Sequence, residues 1–201
     1  MPISAPFYSE ADLRARADAF LSKYHPARTI PVPIERIVEY RFGIDIVPMP
    51  GLQRNFDTAA YITSDLNEIR VDLAVYETRE NRYRFSLAHE LAHKLLHAEV
   101  FEQLSFSTIA EWKASREQIP EREYRFIEWH ANLFAALVLV PPVQLNEAFQ
   151  AAKHAIAGLG WSLDSAPPAA WEWLEDRLAR YFCVSGAVIA RRGPADDLWE
   201  P

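Results

Sequence analysis

Apolar residues recur at helical spacing from the start of the chain. Leu13, Ala17, Phe20, Leu21 and Tyr24 fall on one face of residues 9–24, with Ser9 placed to cap them. Pro31 and Pro33 lead into a second helix over 33–41, which Gly43 ends. The period then changes. Residues 44–49 alternate as a strand, and 59–63 and 68–72 read as two strands around the turn Ser64-Asp65-Leu66-Asn67. No Pro or Gly interrupts residues 80–98, and Phe85, Leu87, Ala88, Leu91, Ala92, Leu95 and Leu96 make that stretch a helix of the buried type. Residues 100–120 are mixed, with a short helix suggested at Trp112–Gln118. A second buried helix covers 121–140 and stops at Pro141-Pro142; another begins at Pro142. Residues 157–162 and Pro167-Pro168 read as loop or boundary. Residues 169–181 return to helix, with Trp171, Leu174, Leu178 and Tyr181 or Phe182 on one side, and 184–189 form a short last helix. Long helices mixed with a few short strands predict an α+β fold: a mostly helical core over 1–160 with a small antiparallel sheet, and a short helical C-terminal appendage over 161–201 packed on it.

One buried helix carries groups that do not belong in an apolar core. His89-Glu90-Leu91-Ala92-His93 sets two imidazoles and a carboxylate among leucines and alanines, where they are costly to bury without partners. Positions i and i+4 lie about 40° apart around a helix and about 6 Å along it. Two imidazoles at that spacing can close on one metal ion. Glu90 lies about 100° from His89 and about 60° from His93, so it reaches the same side without entering the metal's own shell. This is what a zinc hydrolase requires: two neutral nitrogen ligands and a carboxylate able to take a proton from water.

A catalytic zinc needs a further protein ligand. His97 lies about 9 Å along the helix from the midpoint of His89 and His93, too far for one straight helix to deliver. The three-histidine variant of the motif turns at a Gly after its second His, and none stands here. His97 therefore reads as a packing or hydrogen-bonding residue near the helix end. Glu128, in the second buried helix, is the better candidate. Asn132 lies one turn beyond it on the same face, placed to orient a ligating imidazole. Ala131, Ala135 and Ala136 allow that helix to lie close to the first. Glu121 and Glu123 are rivals but fall in a polar run, and His130 points to another side of the helix. Phe101, Leu104 and Phe106 are candidates to pack over the mouth of the site.

Bulk properties narrow the function further. Half of the 201 residues are apolar and 12% are aromatic, ample for a real core, and the net charge of −7 leaves no general basic footprint for nucleic acid. Residues 169–192 have helix–turn–helix spacing, but the acidic balance favours a packing role. Cys183 is alone, so there is neither a disulfide framework nor a thiolate metal site. The first twenty residues are rich in charge and lack the apolar segment of a signal peptide. No run approaches the ~18 apolar residues of a membrane span. The expected location is the cytoplasm.

These motifs resemble the ImmA/IrrE metallo-endopeptidases. The resemblance rests on Arg84–His93 with Leu95-Leu96-His97, and on Glu128-Trp129-His130-Ala131-Asn132-Leu133-Phe134-Ala135-Ala136 ahead of a Pro. Weaker echoes at Pro31–Glu35, Phe42-Gly43-Ile44 and Leu178–Ser185 extend it over residues 10–192. Ala92 stands where the family often has Gly, and His130 where Gln or Glu is common. The resemblance implies a thermolysin-like, zincin-like core, zinc ligands His89, His93 and Glu128, and Glu90 as catalytic base. It also implies a narrow protein substrate, a helix–turn–helix repressor cut to switch on stress-response or mobile-element genes. The expected chemistry is metal-assisted peptide hydrolysis, with the substrate lying along the edge of the 59–72 hairpin. Tyr61, His97 and His130 are candidates to stabilise the oxyanion. The alternative is a zinc-containing module that binds a regulator without cutting it, a task that needs no Glu90.

Overall fold

The computed structural model describes residues 3–158, 160–163 and 166–199; Leu159, in the predicted 157–162 loop, lies outside the described residues. The chain opens with α1 (Glu10–Tyr24) behind a reciprocal cap. The Asp12 N–H donates to Ser9 Oγ at 3.2 Å, and the Ser9 N–H donates to Asp12 Oδ2 at 2.9 Å, satisfying two backbone donors at the helix start. Helix α2 (Ile34–Phe42) ends at Gly43, whose φ of +60° suits a residue without a side chain.

Strands β1 (Asp45–Met49), β2 (Ala60–Ile62) and β3 (Glu68–Asp72) form one sheet in the order β1-β3-β2, with the short helix α3 (Leu52–Phe56) between β1 and β2. The β2–β3 hairpin is antiparallel, as its turn implies. The sheet as a whole is mixed, not antiparallel, because β1 pairs in parallel with β3. The chain reaches the far edge through α3 before the hairpin returns it to the centre. Alternation within a five-residue strand carries no record of its neighbour's direction, so this pairing was beyond the pattern. Asp72 fastens the junction. Its carboxylate accepts from the Ala74 and Val75 N–H groups, capping α4 (Leu73–Thr78), and from Gln53 N in α3 at 2.9 Å.

Helices α5 (Glu80–Leu96) and α8 (Glu121–Leu139) pack together at the centre. Helix α1 covers α8, while α2 and β2 lie against α5. Ala88 and Ala92 on α5 and Ala131 and Ala135 on α8 are fully buried, and side chains this small let helix axes approach closely. Between them run α6 (Ala98–Phe101) and α7 (Ile109–Arg116). The latter starts ahead of the predicted Trp112 because Thr108 and Glu111 form a second capping box. Helix α5 ends at Leu96, with His97 as its cap.

Helix α9 (Pro142–Ala157) is followed by α10 (Pro168–Phe182), which packs on it, and by α11 (Gly186–Ala195), which packs on α10. The C-terminal segment is bonded back to the centre. Asn81 and Arg84 of α5 donate to the carbonyls of Val184 and Cys183. Arg192, 2% exposed, donates to Val140 O and pairs with Asp196, which also meets Arg14 of α1 at 2.6 Å. Among the described residues no single helix is long and apolar enough to cross a membrane; α8 and α9 together pass by length and composition, across a 57° bend.

Candidate metal centre

One turn of α5 separates His89 from His93, and their Nε2 atoms face each other at 3.1 Å. Glu128 reaches across from α8. Its Oε2 lies 3.5 Å from His89 Nε2, and its Oε1 lies 3.7 Å from His93 Nε2. One ligand atom from each of the three residues falls within 4.8 Å of the others. Two donors each about 2.1 Å from a tetrahedral ion stand about 3.4 Å apart. The three observed separations bracket that value, so the residues fit a single small cation. Two neutral nitrogens and one carboxylate also suit a borderline metal better than a hard one.

The surroundings prepare the three groups differently. Burial opposes charge on His89, but the Glu128 carboxylate, the charge of Glu90 and a hydrogen bond with Asn132 together hold its pKa above the ordinary value. Burial, with the charges of His89 and His97 added, pushes His93 well below it. His93 is thus neutral and free to ligate, whereas a metal competes with a proton at His89. Asn132 already donates its Nδ2 to Glu128 O at 2.8 Å, which leaves its carbonyl oxygen for the His89 ring.

Glu90 is 7% exposed and stands beside the ligands. Its Oε2 accepts the Ile62 N–H of β2 at 2.9 Å. Burial raises its pKa to about 7; the charge of His89 opposes this, that of Glu128 adds to it, and the Ile62 hydrogen bond opposes it again. A carboxyl held near neutrality can both take and return a proton.

The hairpin register decides which backbone groups face this site. Thr63 N bonds Glu68 O and Asp72 N bonds Ala59 O, so Ala60 and Ile62 occupy the alternate positions and turn their own N–H and C=O groups to the free edge of β2. Glu90 occupies the Ile62 N–H. Ala60 lines a pocket of about 220 Å³ together with His89, Glu90, His93 and Glu128.

Of the residues expected at the mouth, Phe101 and Leu104 line this pocket, while Phe106 packs against the Phe101 ring from outside it. None of the three expected oxyanion donors lines it. The Tyr61 phenol instead accepts from Arg70 Nη1 at 3.2 Å. His97 sits on the far side of His93, its Nδ1 3.1 Å from His93 Nδ1. His130 lies behind His97, with its Nδ1 3.3 Å from His97 Nε2. Glu121 and Glu123 do not line the pocket either; Glu123 accepts from Ala5 N, and Glu121 pairs with Arg125.

Among the pocket residues that the sequence reading did not place at the site are Tyr124 and Arg116. Tyr124 lies four residues before Glu128, so the same helical spacing that linked Glu128 to Asn132 places it on the ligand's face. Burial and its hydrogen bond and proximity to Glu128 hold the phenol protonated, well above its usual range. The Arg116 guanidinium carbon stacks 4.1 Å from the centre of its ring.

The sequence pattern of the M78 peptidases, described as the IrrE N-terminal-like domain, matches residues 41–192. A solved structure described as a Mycobacterium tuberculosis transcriptional regulator superposes with a TM-score of 0.57 at 18% identity. The match covers 90% of this chain and 46% of that one, so the present chain spans about half of that protein and shares its fold over that part. No curated protein matches the chain.

Proposed function

The chain belongs to the M78 peptidase family, the IrrE N-terminal-like group, and from that membership and the converging His89, His93 and Glu128 side chains we propose that it is a zinc-dependent endopeptidase. The carrying observation is the pairing of this ligand triangle with Glu90, a buried carboxyl beside it that titrates near neutrality. A site built only to hold a metal has no use for that fourth group.

His89, His93 and Glu128 would hold the ion, with Asn132 orienting His89. When bound, the metal supplies Lewis acidity, polarising the scissile carbonyl and making water nucleophilic near neutral pH. Glu90 takes the proton from the attacking water and delivers it to the departing amine. Its hydrogen bond to Ile62 N–H fixes the carboxylate's direction throughout. The substrate lies extended along β2, pairing with the Ala60 backbone. It stops short of Ile62, whose N–H is already taken. Tyr124, a neutral phenol in the pocket whose proton now goes to Glu128, is a candidate O–H group to turn to the developing oxyanion.

The proposed substrate is a helix–turn–helix repressor, sharing the cytoplasm with the enzyme. Support comes from the ImmA/IrrE resemblance and from the described role of the structural neighbour as a transcriptional regulator. The test combines metal content with cleavage. The wild-type protein is expected to bind about one zinc per chain, and His93→Ala and Glu128→Ala to lose it. Glu90→Gln should keep the zinc while its cleavage of a candidate repressor, followed on a gel, falls ~100-fold or more. Zinc retained without Glu128 would move the third ligand elsewhere. Wild-type cleavage by Glu90→Gln would remove Glu90 from the mechanism.

A further inference from the structure

His93 is the near end of a file of buried imidazoles. Its Nδ1 faces His97 Nδ1 at 3.1 Å, His97 Nε2 faces His130 Nδ1 at 3.3 Å, and His130 Nε2 reaches the backbone of Tyr8. His97 and His130 are both fully buried. The file runs along the end of α5 from His93 to His97, then crosses to α8 and to the segment ahead of α1, with residues far apart in sequence at those last two steps.

A neutral imidazole has one N–H and one bare nitrogen, so each link constrains the next. At the far end the Tyr8 peptide offers His130 Nε2 two partners, its carbonyl oxygen at 3.2 Å and its N–H at 3.3 Å. If His130 donates to the carbonyl, its Nδ1 is bare and must accept from His97 Nε2–H. His97 Nδ1 is then bare and accepts from His93 Nδ1–H, which leaves His93 Nε2 bare, pointing at His89 and Glu128. If His130 instead accepts from the Tyr8 N–H, every link reverses and the proton falls on His93 Nε2. Only the first polarity permits His93 to ligate through Nε2.

We infer that His97 and His130, anchored on the Tyr8 carbonyl, are positioning residues that hold His93 in its ligating tautomer and orientation. Metal-binding histidines ordinarily donate their second N–H to a carboxylate, a carbonyl or water. Here two further histidines carry that hydrogen bond out to a carbonyl on another segment, making the N-terminal segment ahead of α1 a support of the metal centre. The inference rests on the proposed metal reading.

Zinc affinity of the full chain, by competition with a chelator, tests it alongside nitrogen-15 spectra of the zinc-loaded wild type. His97→Phe fills the space without hydrogen bonding and should raise the dissociation constant for zinc about 10- to 100-fold. His97→Gln supplies an acceptor for His93 and a donor for His130, and should recover much of that loss. The spectra should show His97 and His130 both protonated at Nε2. An unchanged affinity in folded His97→Phe, or a proton on Nδ1 of His97 in the wild type, would overturn the inference and leave the metal site standing. A wild type that takes up no zinc would overturn the metal reading itself, and this inference with it. Should His97→Phe fail to fold, the wild-type spectra decide.

Discussion

Burial lifts the Glu90 carboxyl to about 7 from the 4.5 of an ordinary glutamate, and a single N–H from β2 holds it in direction. The HExxH spacing located this residue, but its partner could not be read, because Ile62 lies on a strand whose register only the folded hairpin defines. Tyr83, two turns earlier on α5, shows burial acting on a different group. Its phenol donates to Glu35 of α2 at 2.8 Å. Burial first, then Glu35, raises its pKa far above the usual 10.0. A raised folded-state pKa means that the tyrosine's contribution is complete below about pH 10 and is lost as the pH climbs beyond it. Tyr83→Phe should therefore cost about 1 kcal/mol at neutral pH. The gap between the two proteins' urea-unfolding free energies should narrow at alkaline pH. A gap that widened there would reverse the assigned shift.

At the scale of elements, the site depends on how closely α5 approaches α8, since two ligands come from one helix and the third from the other. The buried alanines set that distance. Ala135→Leu adds volume where there is no space, and should cost about 1–3 kcal/mol by denaturant unfolding. It should also weaken zinc binding by moving Glu128 relative to the two histidines. Trp129 is 42% exposed on the same helix; Trp129→Ala should leave zinc affinity unchanged. Equal loss of zinc in both variants would mean that α8 tolerates no change at all, and would take away the special role of its alanine face. Both long helices were legible because their apolar periods run for several turns without a breaker. Helices α3, α4 and α6 were not. Segments this short are unstable alone and are held by contacts such as those Asp72 makes to α3 and α4.

For the molecule as a whole, the buried Arg192–Asp196 pair at the end of α11 ties that helix to the core, Arg192 through Val140 O and Asp196 through Arg14. Burial lowers the Arg192 pKa to about 10, against the opposing charge of Asp196, and Arg14 of α1 shares the same carboxylate. Removing the carboxylate strands a guanidinium in the interior. Asp196→Ala should lower unfolding free energy by about 3 kcal/mol, and the double variant Arg192→Met with Asp196→Leu should recover most of it. A double variant as unstable as the single one would show that the pair's geometry, not its charge, secures the segment.

The sequence by itself determined which helices would be buried, the local arrangement of His89, Glu90 and His93, and the shared helix face of Glu128 and Asn132. All follow from one period of 3.6 residues, which carries an i, i+4 relation directly into space. Tertiary structure alone decided the parallel pairing of β1, the hydrogen bond that aims Glu90, the entry of Arg116 into the pocket, and the file from His93 through His97 and His130 to Tyr8. Each depends on a contact between different elements, and no periodicity along a chain encodes the distance between two elements until packing brings them together.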